Sequence, residues 1–245
     1  MVMLYYPQNF MNEPHLCIMF PLTGLHTGSV YTDWNFVGSR ECPTRGKVFI
    51  IKTHAKNNLT DHRDCAKIGV THLNYSQAIY ILRNPYDALV AEFNRRNAKN
   101  AGTETFFNEG EGLATQNDFK SKKWDNFLLR ESKTWKAMTL YWLQKFDKPV
   151  YVLLYERLRK NSYLEMYNLM KFLNIQIEFK SLFCLSSNTT GNYHRIKADW
   201  MARENLFETS HRKLLNEIIN SIVVQLGITK HISDVLQSYI LPLTD

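Results

Sequence analysis

Ser-Gln-Ala-Ile-Tyr-Ile-Leu-Arg-Asn-Pro-Tyr-Asp-Ala-Leu-Val-Ala-Glu-Phe-Asn-Arg-Arg, residues 76–96, carries the clearest structural signal in the chain. Ala78 to Leu82 is a short apolar run rich in β-formers, the pattern of a buried strand. It stops at Arg83, and Asn84-Pro85 then reads as a helix N-cap followed by proline at the first helical position. Tyr86, Leu89, Val90 and Phe93 recur at i, i+3, i+4 and i+7, so the spacing predicts an amphipathic helix over the next dozen residues. A strand running straight into a helix leaves Arg83 beside free N–H groups and the positive end of the helix dipole, a place suited to a phosphate. Taken alone, such an arginine is more often a solvated strand end.

Working outward, Lys-Val-Phe-Ile-Ile-Lys-Thr-His over residues 47–54 reads as a second buried strand that ends in reactive side chains. His15 to Phe20 and Val150 to Leu154 read as further strands. Trp135, Met138, Trp142, Leu143 and Phe146 mark a helix over about 124–146, with an aromatic stripe expected to face the core. Ser162 and Glu165 have capping-box spacing and open a helix reaching about Leu173. Leu215, Ile218, Ile219, Ile222, Val223 and Leu226 form the core face of a helix near 210–226. Residues 1–14 show no periodicity and are read as a loose leader to one domain over 15–245. Residues 98–123 are polar and glycine-containing, and read as a long mobile loop. Strands alternating with helices predict an α/β protein with a mainly parallel central sheet flanked by helices. Its ligand is expected outside the strand carboxyl ends.

The 245 residues suffice for one large α/β domain. Thirty Lys and Arg against 23 Asp and Glu give a net charge of +7, which suits an anionic ligand or acceptor. The basic residues are dispersed, and no helix–turn–helix, zinc-finger or RNP-like pattern occurs, so no nucleic-acid partner is expected. Cys17, Cys42, Cys65 and Cys184 are unevenly spaced without a Cys-x-x-Cys, so no metal is expected. They permit two disulfides without requiring any. Asn58, Asn74 and Asn188 head Asn-x-Ser/Thr sequons and lean towards a secretory lumen. The apolar run Leu16 to Leu22 is too short for a signal peptide, and no stretch is long enough to span a membrane.

The ordered series Thr27-Gly28-Ser29-Val30-Tyr31, Ile51-Lys52-Thr53-His54, Ile81 to Arg96, Tyr155-Glu156-Arg157-Leu158 and Gly191-Asn192-Tyr193-His194-Arg195 resembles the sulfotransferases. Within them it is most similar to the WSC-domain-containing (sialate O-sulfotransferase) branch. The resemblance implies a P-loop-like sulfotransferase fold and the co-substrate 3′-phosphoadenosine 5′-phosphosulfate. It implies a glycan or glycoprotein acceptor such as a sialic acid. It also implies residence in the Golgi, on a membrane only through an anchor that this chain is read as lacking. On this resemblance Arg83 holds the 3′ phosphate, while Gly191 and Arg195, with Lys197 nearby, belong to a basic loop over the nucleotide. His54 is the general base and Lys52 offsets charge on the sulfuryl or bridging oxygens. Glu156 is read as structural, anchoring a strand–helix turn. The superfamily's serine eight residues after the phosphate-binding arginine is replaced by Ala91, as in the branch itself.

One departure bears on activity. The family places a Gly/Ser-rich 5′-phosphosulfate loop and a helix after the Phe-Pro at residues 20–21. Here Pro21 runs directly into Leu22-Thr23-Gly24, about a dozen residues short, a length typical of a parallel crossover. Gly24 and Gly28 are the available residues for a substitute turn. The alternative to an active enzyme is thus a catalytically silent homologue that binds nucleotide or glycan without turnover.

Overall fold

The computed structural model describes residues 2–5, 24–26, 50–53, 76–100, 113–176, 199–227 and 230–243. The chain divides into two compact units, Met1–Leu82 with Tyr141–Thr189, and Arg83–Leu140 with Thr190–Asp245.

Among the described residues the first unit is built on a five-stranded sheet: β1 (Val2–Tyr5), β2 (Gly24–His26), β3 (Ile50–Thr53), β4 (Gln77–Leu82) and β5 (Val150–Leu154), in the order β2-β3-β1-β4-β5. β2 pairs parallel to β3 and β4 parallel to β5, while β1 is antiparallel to both β3 and β4. Four strands therefore point one way, and β3 and β4 end at the same edge, at Thr53 and Leu82. Val2–Tyr5 corrects the reading of residues 1–14 as a loose leader. Val-Met-Leu-Tyr is too short to show a period, yet it pairs on both sides, Met3 opposite Lys52 and opposite Ile79. Gly24 likewise lies in a strand rather than in a substitute turn. The strand expected at 15–20 lies outside the described residues.

β4 is buried at Ala78, Ile79, Tyr80 and Leu82, hence its continuous apolar run instead of an alternating one. Ile79 and Leu153 pack with Leu169 and Leu173, in the last turn and at the C-cap of the second helix after β5. Two helices follow that strand, α3 (Tyr155–Lys160) and α4 (Ser162–Phe172), when α1 (Pro85–Asn100) and α2 (Lys122–Leu140) are counted first in chain order. The expected capping box is shifted by one residue. Asn161 is the N-cap, and its side-chain oxygen accepts from Leu164 N at 3.1 Å. Ser162 is already helical, so Glu165 falls beyond the position that would close the box. The helix ends with Asn174 left-handed (φ 54), its N–H on Lys171 O and that of Ile175 on Met170 O.

In the second unit, α1 and α2 are joined by α5 (Arg203–Leu206), α6 (Thr209–Leu226) and α7 (Lys230–Gln237). α6 buries Leu215, Ile218, Ile219 and Ile222, as its spacing predicts, and stops at left-handed Gly227 (φ 50). The centre is aromatic. Phe93 of α1 lies 4.8 Å from Trp124, 5.0 Å from Phe119 and 5.1 Å from Phe127, ring centre to ring centre. Trp124 also meets Phe207 at 5.4 Å and donates its indole N–H to Leu206 O at 3.2 Å.

The buried face of α2 is therefore Trp124, Phe127, Leu128, Ser132 and Thr139, most of it upstream of the expected stripe. Trp142, in the π turn Tyr141–Lys145 that continues the helix, is fully buried, while Trp135, Met138, Leu143 and Phe146 are half-buried. The later part of the loop expected over 98–123 is packed. Ala114 N donates to Asn94 Oδ1 at 2.8 Å, and Phe119, on a 3-10 turn (Asp118–Lys120), enters the aromatic cluster.

Candidate functional site

The head of α1 forms as its sequence dictates. β4 stops at Leu82 and α1 starts at Pro85, with only Arg83 and Asn84 between them. Asn84 is buried and acts as the cap: its Oδ1 accepts from Tyr86 N at 3.0 Å, and its carbonyl accepts from Ala88 N at 2.9 Å. This tempers the expectation of free N–H groups. Pro85 has none, and that of Tyr86 is directed onto Asn84, which leaves fewer donors at the helix head beside half-buried Arg83.

Tyr86 and Asp87 tie this first turn to the end of the second unit. The Tyr86 hydroxyl donates to Asn216 Oδ1 at 2.8 Å and lies 3.3 Å from Arg212 O. Asn216 also donates to Leu241 O, and Arg212 to Phe207 O and Pro242 O. Asp87 forms a two-pronged ion pair with Arg203: Arg203 Nε donates to Oδ1 at 3.1 Å and Nη2 donates to Oδ2. Further along α1, Glu92 accepts from Arg95 and Arg96. Burial works to raise the Glu92 pKa, but these two arginines outweigh it and hold the carboxyl below its ordinary range.

Burial pushes the Tyr86 phenol up to about 12, against a smaller opposing influence from Arg212 and Arg203. The neutral phenol is thus the form that the fold favours. The associated stability is fully present below the unfolded value near 10 and is lost as pH rises from there through about 12. Urea midpoints measured from pH 9 to 12 are expected to fall, and Tyr86→Phe is expected to flatten that fall. An identical slope in the variant would refute the assignment.

Of the residues singled out from sequence, Lys52 is in β3 of the first unit, in register with His26 of β2 and Met3 of β1. Arg83 opens the second unit. His54, Gly191, Arg195 and Lys197 lie outside the described residues. Glu156 sits in the first turn of α3, directly after β5, where a strand–helix turn was expected. The Asp87–Arg203 pair was not read from sequence. An acidic residue in the first turn of α1 was visible, but its partner lies 116 residues away. Among the described residues no group of His, Cys, Asp or Glu is arranged to hold a metal. Nor is any described helix long and apolar enough to cross a membrane.

A mainly parallel sheet, with helices following β4 and β5, is the α/β architecture of the sulfotransferases. The structure is similar to that of mouse sulfotransferase SULT7A1, solved in complex with PAP, with a TM-score of 0.50 at 15% identity. The match covers 89% of this chain and 78% of the mouse protein. Residues 31–219 match the sulfotransferase domain family, and the chain belongs to that family. It is similar to WSCD family members of Drosophila melanogaster (26% identical) and Aedes aegypti (28%) over 178 residues, 71% of this chain. The chain spans about half the length of these relatives (50% of each).

Proposed function

We propose that this chain binds 3′-phosphoadenosine 5′-phosphosulfate and transfers its sulfuryl group to a glycan hydroxyl, with sialic acid as the acceptor sugar. The observation that carries this reading is the family match over residues 31–219, which includes Lys52, His54, Arg83, Gly191 and Arg195. The sheet supports it. β3 and β4 end at one edge, and in sequence His54 follows the last residue of the first, Arg83 that of the second.

In the proposed reaction the acceptor oxygen forms a bond to sulfur as the bond from sulfur to the donor's bridging oxygen breaks. The acceptor proton passes to His54, and adenosine 3′,5′-bisphosphate leaves. Lys52 offsets charge on the sulfuryl and bridging oxygens, Arg83 and Arg195 hold phosphate, and the Gly191 loop covers the nucleotide. Positioning and charge stabilisation supply most of the rate, as in phosphoryl transfer. A Golgi setting with a glycoprotein acceptor belongs to the same reading, and the sequons at Asn58, Asn74 and Asn188 agree with it. A second reading, a homologue that binds without turnover, is favoured by the direct run from Pro21 into Leu22-Thr23-Gly24.

Calorimetric titration with adenosine 3′,5′-bisphosphate tests the binding step. Micromolar affinity is expected, weakened in Arg83→Ala by about 10- to 100-fold, the worth of a charge-assisted contact. A folded chain that binds no nucleotide would sink the reading. Binding without sulfate transfer to any sialoglycan would establish the second one.

A further inference from the structure

We infer that Arg203 is a positioning residue for the nucleotide's 3′ phosphate, acting through Asp87; this rests on the donor-binding reading above. Asp87 stands three residues past the Asn84 cap, in the first turn of α1 and four residues from Arg83. A carboxylate there gains from the helix dipole, but its bare charge opposes any phosphate held at the same helix end. Arg203 resolves the conflict. Its guanidinium takes both Asp87 oxygens side-on, with one distance at 3.1 Å, so charge and lone pairs are matched together. Arg203 is one-third exposed and Asp87 less so, which keeps the pair partly shielded from solvent screening.

Arg203 opens α5, and apolar anchors flank it: Met201, Leu206 and Phe207 are buried, and the Phe207 ring meets that of Tyr86 at 4.8 Å. Those anchors hold the segment without the ion pair. The role assigned to Arg203 is therefore chiefly to cancel the Asp87 charge where the 3′ phosphate binds.

That role makes a distinctive pattern in binding of adenosine 3′,5′-bisphosphate to the full chain. Arg203→Ala is expected to weaken it about tenfold, because it removes the positive charge and the two donors that Arg203 sets on the Asp87 carboxylate. Adding Asp87→Ala is expected to restore most of the loss, and Arg203→Lys to show little of it. Adenosine 5′-phosphate, which lacks the 3′ phosphate, serves as the comparison, and its affinity is expected to change little in any variant. Melting temperatures taken alongside confirm that each variant is folded.

A double variant as weak as Arg203→Ala, or an equal loss for both nucleotides, would show a merely structural pair and overturn the inference. So would unchanged affinity in Arg203→Ala. Wild-type chain that binds neither nucleotide would instead overturn the donor-binding reading, and this inference with it.

Discussion

Trp124→Ala is expected to lower the unfolding free energy by about 3–5 kcal/mol, the usual range for deleting a fully buried large aromatic side chain. Trp124 has no exposed surface, and four rings, Phe93, Phe119, Phe127 and Phe207, lie within 5.7 Å of its centre. Its indole N–H is also tied to Leu206 O, so the substitution strands a buried acceptor as well as opening a cavity. Urea denaturation followed by near-ultraviolet circular dichroism measures the loss. Val224→Ser, at a site 80% exposed, supplies the control and is expected to change stability by no more than about 0.5 kcal/mol. A loss below about 1 kcal/mol for Trp124→Ala would mean that this aromatic centre is wrongly placed.

The second large effect concerns turnover. If His54 removes the acceptor proton, His54→Ala is expected to reduce kcat by about 10²- to 10⁴-fold while leaving nucleotide affinity near wild type. Arg83→Ala moves the other quantity, weakening binding of the donor product. A sulfate-transfer assay on a sialoglycan, run beside calorimetry on the same preparations, separates the two. Equal loss of binding and of turnover in His54→Ala would assign the residue a structural role and remove it from the chemistry.

Local signals account for what the chain disclosed without coordinates. β4, β5, α1, α4 and α6 follow from apolar runs, capping residues and helical spacing, each contained within about twenty residues. The cap of α4 was misplaced by one position because Asn161 and Ser162 are both good capping residues, and only the hydrogen bond to Leu164 N separates them. β1 stayed hidden because its four residues owe their strand to partners around residues 50–53 and 77–80. The buried face of α2 was set too far downstream, since Trp135 and Phe146 look no less apolar than Trp124 and Phe127 in one dimension.

The candidate site divides the same way. Lys52 in β3, and Arg83 between β4 and α1, fall where strand and helix signals put them. The roles of His54, Gly191 and Arg195 rest on family resemblance. Asp87 and Arg203 meet only in three dimensions, so no reading of spacing reveals them.

The position of β1 has a consequence for how the sheet assembles. Its residues leave the ribosome before those of every partner strand, yet they fill the middle of the sheet, between β3 and β4. Until they dock, β2–β3 and β4–β5 are two separate ribbons, each with a bare inner edge open to pairing with another chain. Correct seating of Val2–Tyr5 thus governs how much of the sheet pairs with itself instead of with another chain, and so bears on aggregation during synthesis as well as on the final pairing.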